Sequence, residues 1–167
     1  ERILAADQVL VGLNRTRHSY NGRIRELLGR KDSKPVAGDR LVGLRNDRTC
    51  NMLNGSLWNV EKITKPRSKA KIDAPVIQMT VSPLDFAGGK HEIVHVREEF
   101  FLGTEGTLPW EERRGTQEMT YGYALTVHKA QGSQWDDVVL FDESFAFREH
   151  RARWLYTGVT RAAERLT

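Results

Sequence analysis

The chain has 167 residues, with 26 lysines and arginines against 22 aspartates and glutamates and a formal net charge of +4. That length fits one domain, or one domain with a small insert, and no apolar run approaches the roughly 18 residues a membrane helix needs. The single cysteine, Cys50, excludes an internal disulfide, which suits a reducing cytoplasm; no signal peptide is visible, and the opening Glu1 in place of a methionine points to a piece of a longer protein.

Charge is unevenly spread. Residues 1–71 carry 16 basic and 7 acidic side chains, and residues 72–167 carry 10 and 15. A basic half attracts polyanions in a salt-dependent way, although a solvated surface has the same composition.

In chain order, residues 8–12 (QVLVG) form a short apolar strand. Asn14, Arg15, Thr16 and Arg17 follow as a polar elbow. Residues 20–28 predict a helix with Tyr20, Ile24, Leu27 and Leu28 on one face, stopped by Gly29. Strand, elbow and helix make half of a βαβ unit. Residues 30–35 are a polar linker, after which short β-type segments begin. Leu41, Val42 and Leu44 suit a strand, Asn54-Gly55 a tight turn, and Leu57, Trp58 and Val60 the next strand. Trp58 reads as a core residue before it reads as a base-stacking one. Residues 62–71 make a basic loop able to attract phosphate. Residues 76–81, 93–96 and Phe100-Phe101 supply further strands, with Gly88-Gly89 turning between two of them. Residues 103–115 form an irregular return.

An apolar, aromatic strand then spans 119–125. Residues 138–141 (VVLF) are an unbroken apolar run, the pattern of a strand buried on both faces of a parallel sheet. Between them, TVHKAQGS at 126–133 crowds a hydroxyl, an imidazole, an ammonium and an amide at the end of a buried strand. Open α/β sheets bind ligands at such places. Residues 145–150 connect to a helix expected over 151–166, with Leu155, Val159, Ala162 and Leu166 along one face and Arg161 beside it.

The string TVHKAQGS resembles motif V of superfamily 1 nucleic-acid helicases, and WLYTGVTRA at 154–162 resembles their motif VI, in the expected order. Arg15, and after it Arg17, is the nearest match to the arginine of motif IV. The resemblance implies an α/β fold: a RecA-like parallel sheet flanked by helices, formed by residues 1–35 and 104–167, with a small SH3-like β-barrel inserted at 36–103. The short insert is similar to that of the 5′-to-3′ RecD/Dda-like branch.

The resemblance also implies roles. Arg161 would be the arginine finger, and a guanidinium is a planar, permanently charged fork suited to phosphate oxygens. Arg15, Gly132, Ser133 and Gln134 would join it on the ATP side. Gln134 stands where the family typically has a ribose-binding glutamate; it keeps hydrogen-bonding capacity but lacks the charge. Thr126, His128 and Lys129 would face single-stranded DNA, offering donors for phosphate oxygens. Gly132 would allow close backbone approach.

No Gly-x-x-x-x-Gly-Lys-Ser/Thr phosphate loop is present, and no residue is expected to ligate a metal. ATP with Mg2+ would therefore be held mainly by an N-terminal RecA-like domain of the same polypeptide, and the chain alone should be inactive. Expected partners are single-stranded DNA and recombination or repair subunits, with no membrane. The alternative is a non-catalytic nucleic-acid-binding module in which Arg161 and the basic loop only contact phosphate; an RNA substrate is equally compatible with these residues.

Overall fold

The computed structural model describes residues 2–64, 76–85 and 89–167. The chain divides into two compact units, residues 1–30 with 123–167, and residues 31–122.

The first unit is a four-stranded parallel sheet with helices. A single turn, α1 (Arg2–Ala5), leads into β1 (Gln8–Val11) and α2 (Asn14–Leu27). After the second unit the chain adds β7 (Ala124–Thr126), β8 (Trp135–Leu140), α5 (Arg151–Val159) and β9 (Ala162–Leu166). The strand order is β7-β1-β8-β9. β1 lies parallel to both β7 and β8, and β8 parallel to β9. All four residues of β1 are buried, which explains why that strand is apolar without alternation. Val9, Val11, Ile24, Ala124 and Val139 form the core, with Tyr20 and Phe141 packed against it, their rings 4.4 Å apart.

Four expectations change here. α2 begins at Asn14, so Arg15 and Arg17 lie in its first turn and not in a loop. Its inner face carries Arg17, Asn21, Ile24 and Arg25, whereas Leu27 and Leu28 are half exposed. The reason is Asn21: its amide accepts from the Ala124 N–H at 3.0 Å and donates to the Ala124 carbonyl at 2.9 Å. The side chain thus pairs the backbone of edge strand β7 as a neighbouring strand would.

The helix expected over 151–166 ends at Val159, and residues 162–166 are strand β9. Pairing with β8 outweighs the helix propensity of Ala162, Ala163, Glu164, Arg165 and Leu166. α5 packs through Trp154 and Gly158 and not through Leu155 and Val159. A Cβ on Gly158 would stand 3.0 Å from Leu140 Cδ2, so glycine sets how closely the helix lies on β8.

The second unit is an antiparallel five-stranded sheet of order β5-β4-β3-β2-β6. Its strands are β2 (Arg40–Gly43), β3 (Leu57–Thr64), β4 (Val76–Pro83), β5 (Glu92–Arg97) and β6 (Met119–Tyr121). β4 alternates in burial, as a strand with one covered face does. Gly55, at φ 92°, supplies the turn before β3. Trp58 is buried and its indole N–H donates to Ser56 Oγ at 2.8 Å. The basic loop beyond Thr64 and Gly88 lie outside the described residues.

Phe100 and Phe101 are not a strand but part of a helical turn, α3 (Glu99–Leu102). Both rings are buried, and a strand would send adjacent side chains to opposite faces. Residues 103–115 hold only short turns, including α4 (Trp110–Arg113). The unit runs on to Gly122, past the return expected at 104. The single strand expected over 119–125 is two: β6 pairs antiparallel with β2, while β7 pairs parallel with β1. Among the described residues no helix is long and apolar enough to cross a membrane.

Candidate functional site

The loop between β7 and β8 leaves the carboxyl end of the parallel sheet. Its start is fixed by backbone bonds: Val127 N–H donates to Val11 O at 2.9 Å, and the Thr126 carbonyl accepts from Lys129 and Ala130 at 2.9 and 3.0 Å. Thr126 is 6 % exposed, and its hydroxyl accepts a longer bond from the Lys129 N–H at 3.4 Å. Thr126 therefore shapes the turn, while His128 projects outward. Gly132 has φ 89° with open space where a Cβ would stand, so backbone conformation and not crowding calls for glycine.

Arg161 follows the C-terminal end of α5. Its Nε donates to Thr157 O at 3.1 Å, Nη1 to Ser133 O at 2.9 Å and Nη2 to Thr160 Oγ1 at 3.1 Å. The guanidinium thus caps a helix end, where cations are favoured, and fastens it to the loop. No carboxylate pairs with it among the described residues, and N–H groups remain on both terminal nitrogens. Ser133 and Arg161 are brought together; Gln134 is exposed beside them in sequence.

Arg15 is not joined to this cluster by any hydrogen bond. It stands exposed on α2 with Glu143 as its acidic neighbour. Arg17 is buried and lies 3.0 Å from the His18 ring nitrogen.

Two features went unread in the sequence. Glu143 Oε2 accepts from the Gly12 and Leu13 N–H groups at 2.7 and 3.0 Å, and Oε1 from the Thr16 hydroxyl at 2.6 Å. It caps α2 from a distant part of the chain, since Leu13 at the cap position offers no side-chain acceptor. Burial pushes the Glu143 carboxyl up, but the bonds from Thr16, Leu13 and Gly12, with the Arg15 charge, outweigh it and hold its pKa below the ordinary carboxylate value. The second feature is an aromatic stack, in which His128 lies 5.3 Å from Phe147 and Phe147 5.3 Å from Trp154. A sequence scan for polar clusters passes over both.

Residues 121–167 match the model of the UvrD-like helicase C-terminal domain. The chain is 28 % identical over 130 residues to the ATP-dependent RecD2 DNA helicase of Deinococcus radiodurans, covering 77 % of this chain and 13 % of that protein. Its fold is similar to the Pif1 helicase of Candida albicans, with TM-score 0.57 and 12 % identity over 95 % of this chain and 44 % of that one. Bacteroides Pif1 solved with single-stranded DNA gives TM-score 0.54 and 16 % identity over 93 % of this chain and 38 % of that one. The chain thus spans less than half the length of each of these relatives. The α/β fold with its parallel sheet is similar to that of these helicases, and residues 121–167 are similar to a UvrD-like helicase C-terminal domain.

Proposed function

We propose that this chain is the C-terminal motor lobe of an ATP-dependent DNA helicase, of the 5′-to-3′ RecD/Dda-like branch. Residues 1–30 and 123–167 are the second RecA-like lobe, and residues 31–122 are an SH3-like insert. The observation that carries the reading is the bond from Arg161 to the Ser133 carbonyl. One short loop then has a phosphate-seeking guanidinium at one end and His128 and Lys129 at the other. The RecD2 relative is ATP-dependent, and Pif1 structures hold ADP-AlF3 and single-stranded DNA, which supports assigning both ligands to this loop.

Arg161 acts as the arginine finger. Already held by Thr157, Ser133 and Thr160, it needs little reorganisation to meet a γ-phosphate presented by a companion lobe. Gly132, Ser133, Gln134 and Arg15 border the nucleotide. His128 and Lys129 contact DNA phosphates, on a turn that Thr126 holds. ATP with Mg2+ is bound mainly by the companion lobe. When the lobes close and reopen, the loop carries the change from nucleotide to strand.

In the full-length protein, Arg161→Ala should lower ATP turnover by about 10³-fold or more while single-strand binding, read by fluorescence anisotropy, persists. Undiminished DNA-stimulated ATPase would remove the finger assignment.

A further inference from the structure

β1 and β8 are neighbours in the parallel sheet, yet the chain leaves them in opposite directions. β1 continues through α2 and the second unit to β7 on one flank, and β8 through α5 to β9 on the other. In sheets of this kind the crevice between two such strands, at their carboxyl ends, is where ligands settle. The donors that would hold an anion there are in place. The N–H groups of Gly12 and Leu13 and the hydroxyl of Thr16 converge on one point, at the positive end of α2, with the Arg15 charge alongside.

That point is already taken by Glu143, whose two carboxylate oxygens accept all three bonds. Its approach is prepared from both sides. The Ser144 N–H donates to Asp142 Oδ1 at 2.8 Å and Arg151 Nε to Ser144 Oγ at 2.9 Å, which fixes the turn that carries Glu143. On the β1 side Gly12 leaves room, since a Cβ there would stand 2.8 Å from Glu143 Cβ and 3.1 Å from Phe147 Cε2. A helix cap needs only one short polar side chain at the cap position itself. Here Leu13 stands at that position and the acceptor comes from 130 positions away, so the crevice is filled along with the helix end.

We infer that Glu143 is an internal substitute for a phosphate, which closes this lobe's own switch-point crevice to nucleotide and so confines the nucleotide to the companion lobe. The inference rests on the reading above, in which this lobe lends arginines to a nucleotide held elsewhere. A carboxylate and a phosphate need the same donors, and like charges at hydrogen-bonding distance repel. Arg15, exposed on the same helical turn, stays available to a phosphate presented from outside, while the elbow beneath it binds none.

The test is equilibrium dialysis of the chain against radiolabelled inorganic pyrophosphate, with melting curves by circular dichroism at an ionic strength matched with sodium chloride. The parent's melting temperature should respond to pyrophosphate no more than to chloride. Glu143→Ala, which uncovers three donors, should melt lower, bind pyrophosphate about tenfold more tightly than the parent, and regain several degrees when it is added. Should this variant be unfolded, saturating pyrophosphate should refold it. Adding Thr16→Val should remove most of the gain; an undiminished gain would put the anion elsewhere and overturn the inference. So would a Glu143→Ala chain that gains nothing from pyrophosphate, folded or not, or a parent that binds it as tightly as the variant. None of these outcomes touches the arginine finger, which is read by ATP turnover. Conversely, undiminished turnover in Arg161→Ala would remove the finger and leave the rescue by pyrophosphate standing.

Discussion

Glu143 does for α2 what no residue of that helix does for itself. Its carboxylate gathers the Gly12 and Leu13 N–H groups and the Thr16 hydroxyl, and hydrogen bonds to a charged acceptor are worth about 1.5–3 kcal/mol. A Cβ on Gly12 would stand 2.8 Å from Glu143 Cβ, so that glycine is part of the cap. Because the folded carboxyl titrates below its ordinary value, its stabilisation is complete above the unfolded pKa of about 4.3 and is lost as pH falls through the lower folded one. Glu143→Gln should lower the melting temperature at pH 7, and the difference between variant and parent should shrink as the pH falls below the ordinary carboxylate range; a difference that stays constant with pH would contradict the cap. Asp137, held well below the carboxylate range by Arg2 and then Arg165, has the same sign. Arg161 and its loop were legible because their residues sit in a contiguous string. Glu143 was not, because its partners lie about 130 positions away and its neighbourhood reads as the end of a strand.

Elements were legible where their own pattern decided them and illegible where a neighbour did. β1 and β8 announce themselves as buried parallel strands, and Gly29, at φ 77°, stops α2 as expected. The segment after Val159 has no breaker before Leu166, so local propensity favours helix and only pairing with β8 makes it a strand. In the same way α2 shows an apolar stripe, of which Tyr20 and Ile24 pack on the core, yet the same buried face carries polar side chains, because Asn21 completes the hydrogen bonding of β7. Asn21→Ala strands both the N–H and the carbonyl of Ala124 in a buried place. It should cost about 2–4 kcal/mol in chemical denaturation, several times the few tenths expected of a solvent-facing helix position. Asn21→Asp should recover little, since it keeps an acceptor but loses the donor.

For the whole molecule, length suggested one domain, or one domain with a small insert, and the chain resolves into two units with separate sheets. Where the second unit ends was harder to read, because residues 119–125 look like one strand but serve both sheets. The ends of the first unit meet at its own surface: Arg30 hydrogen-bonds the Tyr123 hydroxyl and lies over its ring. Replacing residues 31–122 by a short Gly-Ser linker should therefore leave a cooperatively folding parallel sheet, seen as a single thermal transition by far-ultraviolet circular dichroism. The two borders of that sheet are unlike. At β7 the spare backbone groups of Ala124 are already consumed by an amide, whereas β9 presents Glu164 and Arg165 to solvent and pairs outwardly with no strand among the described residues. Any further strand, from the same polypeptide or from another, can join this sheet only on the β9 flank, and a shortened lobe kept at high concentration would self-associate through that rim, restrained by its charges.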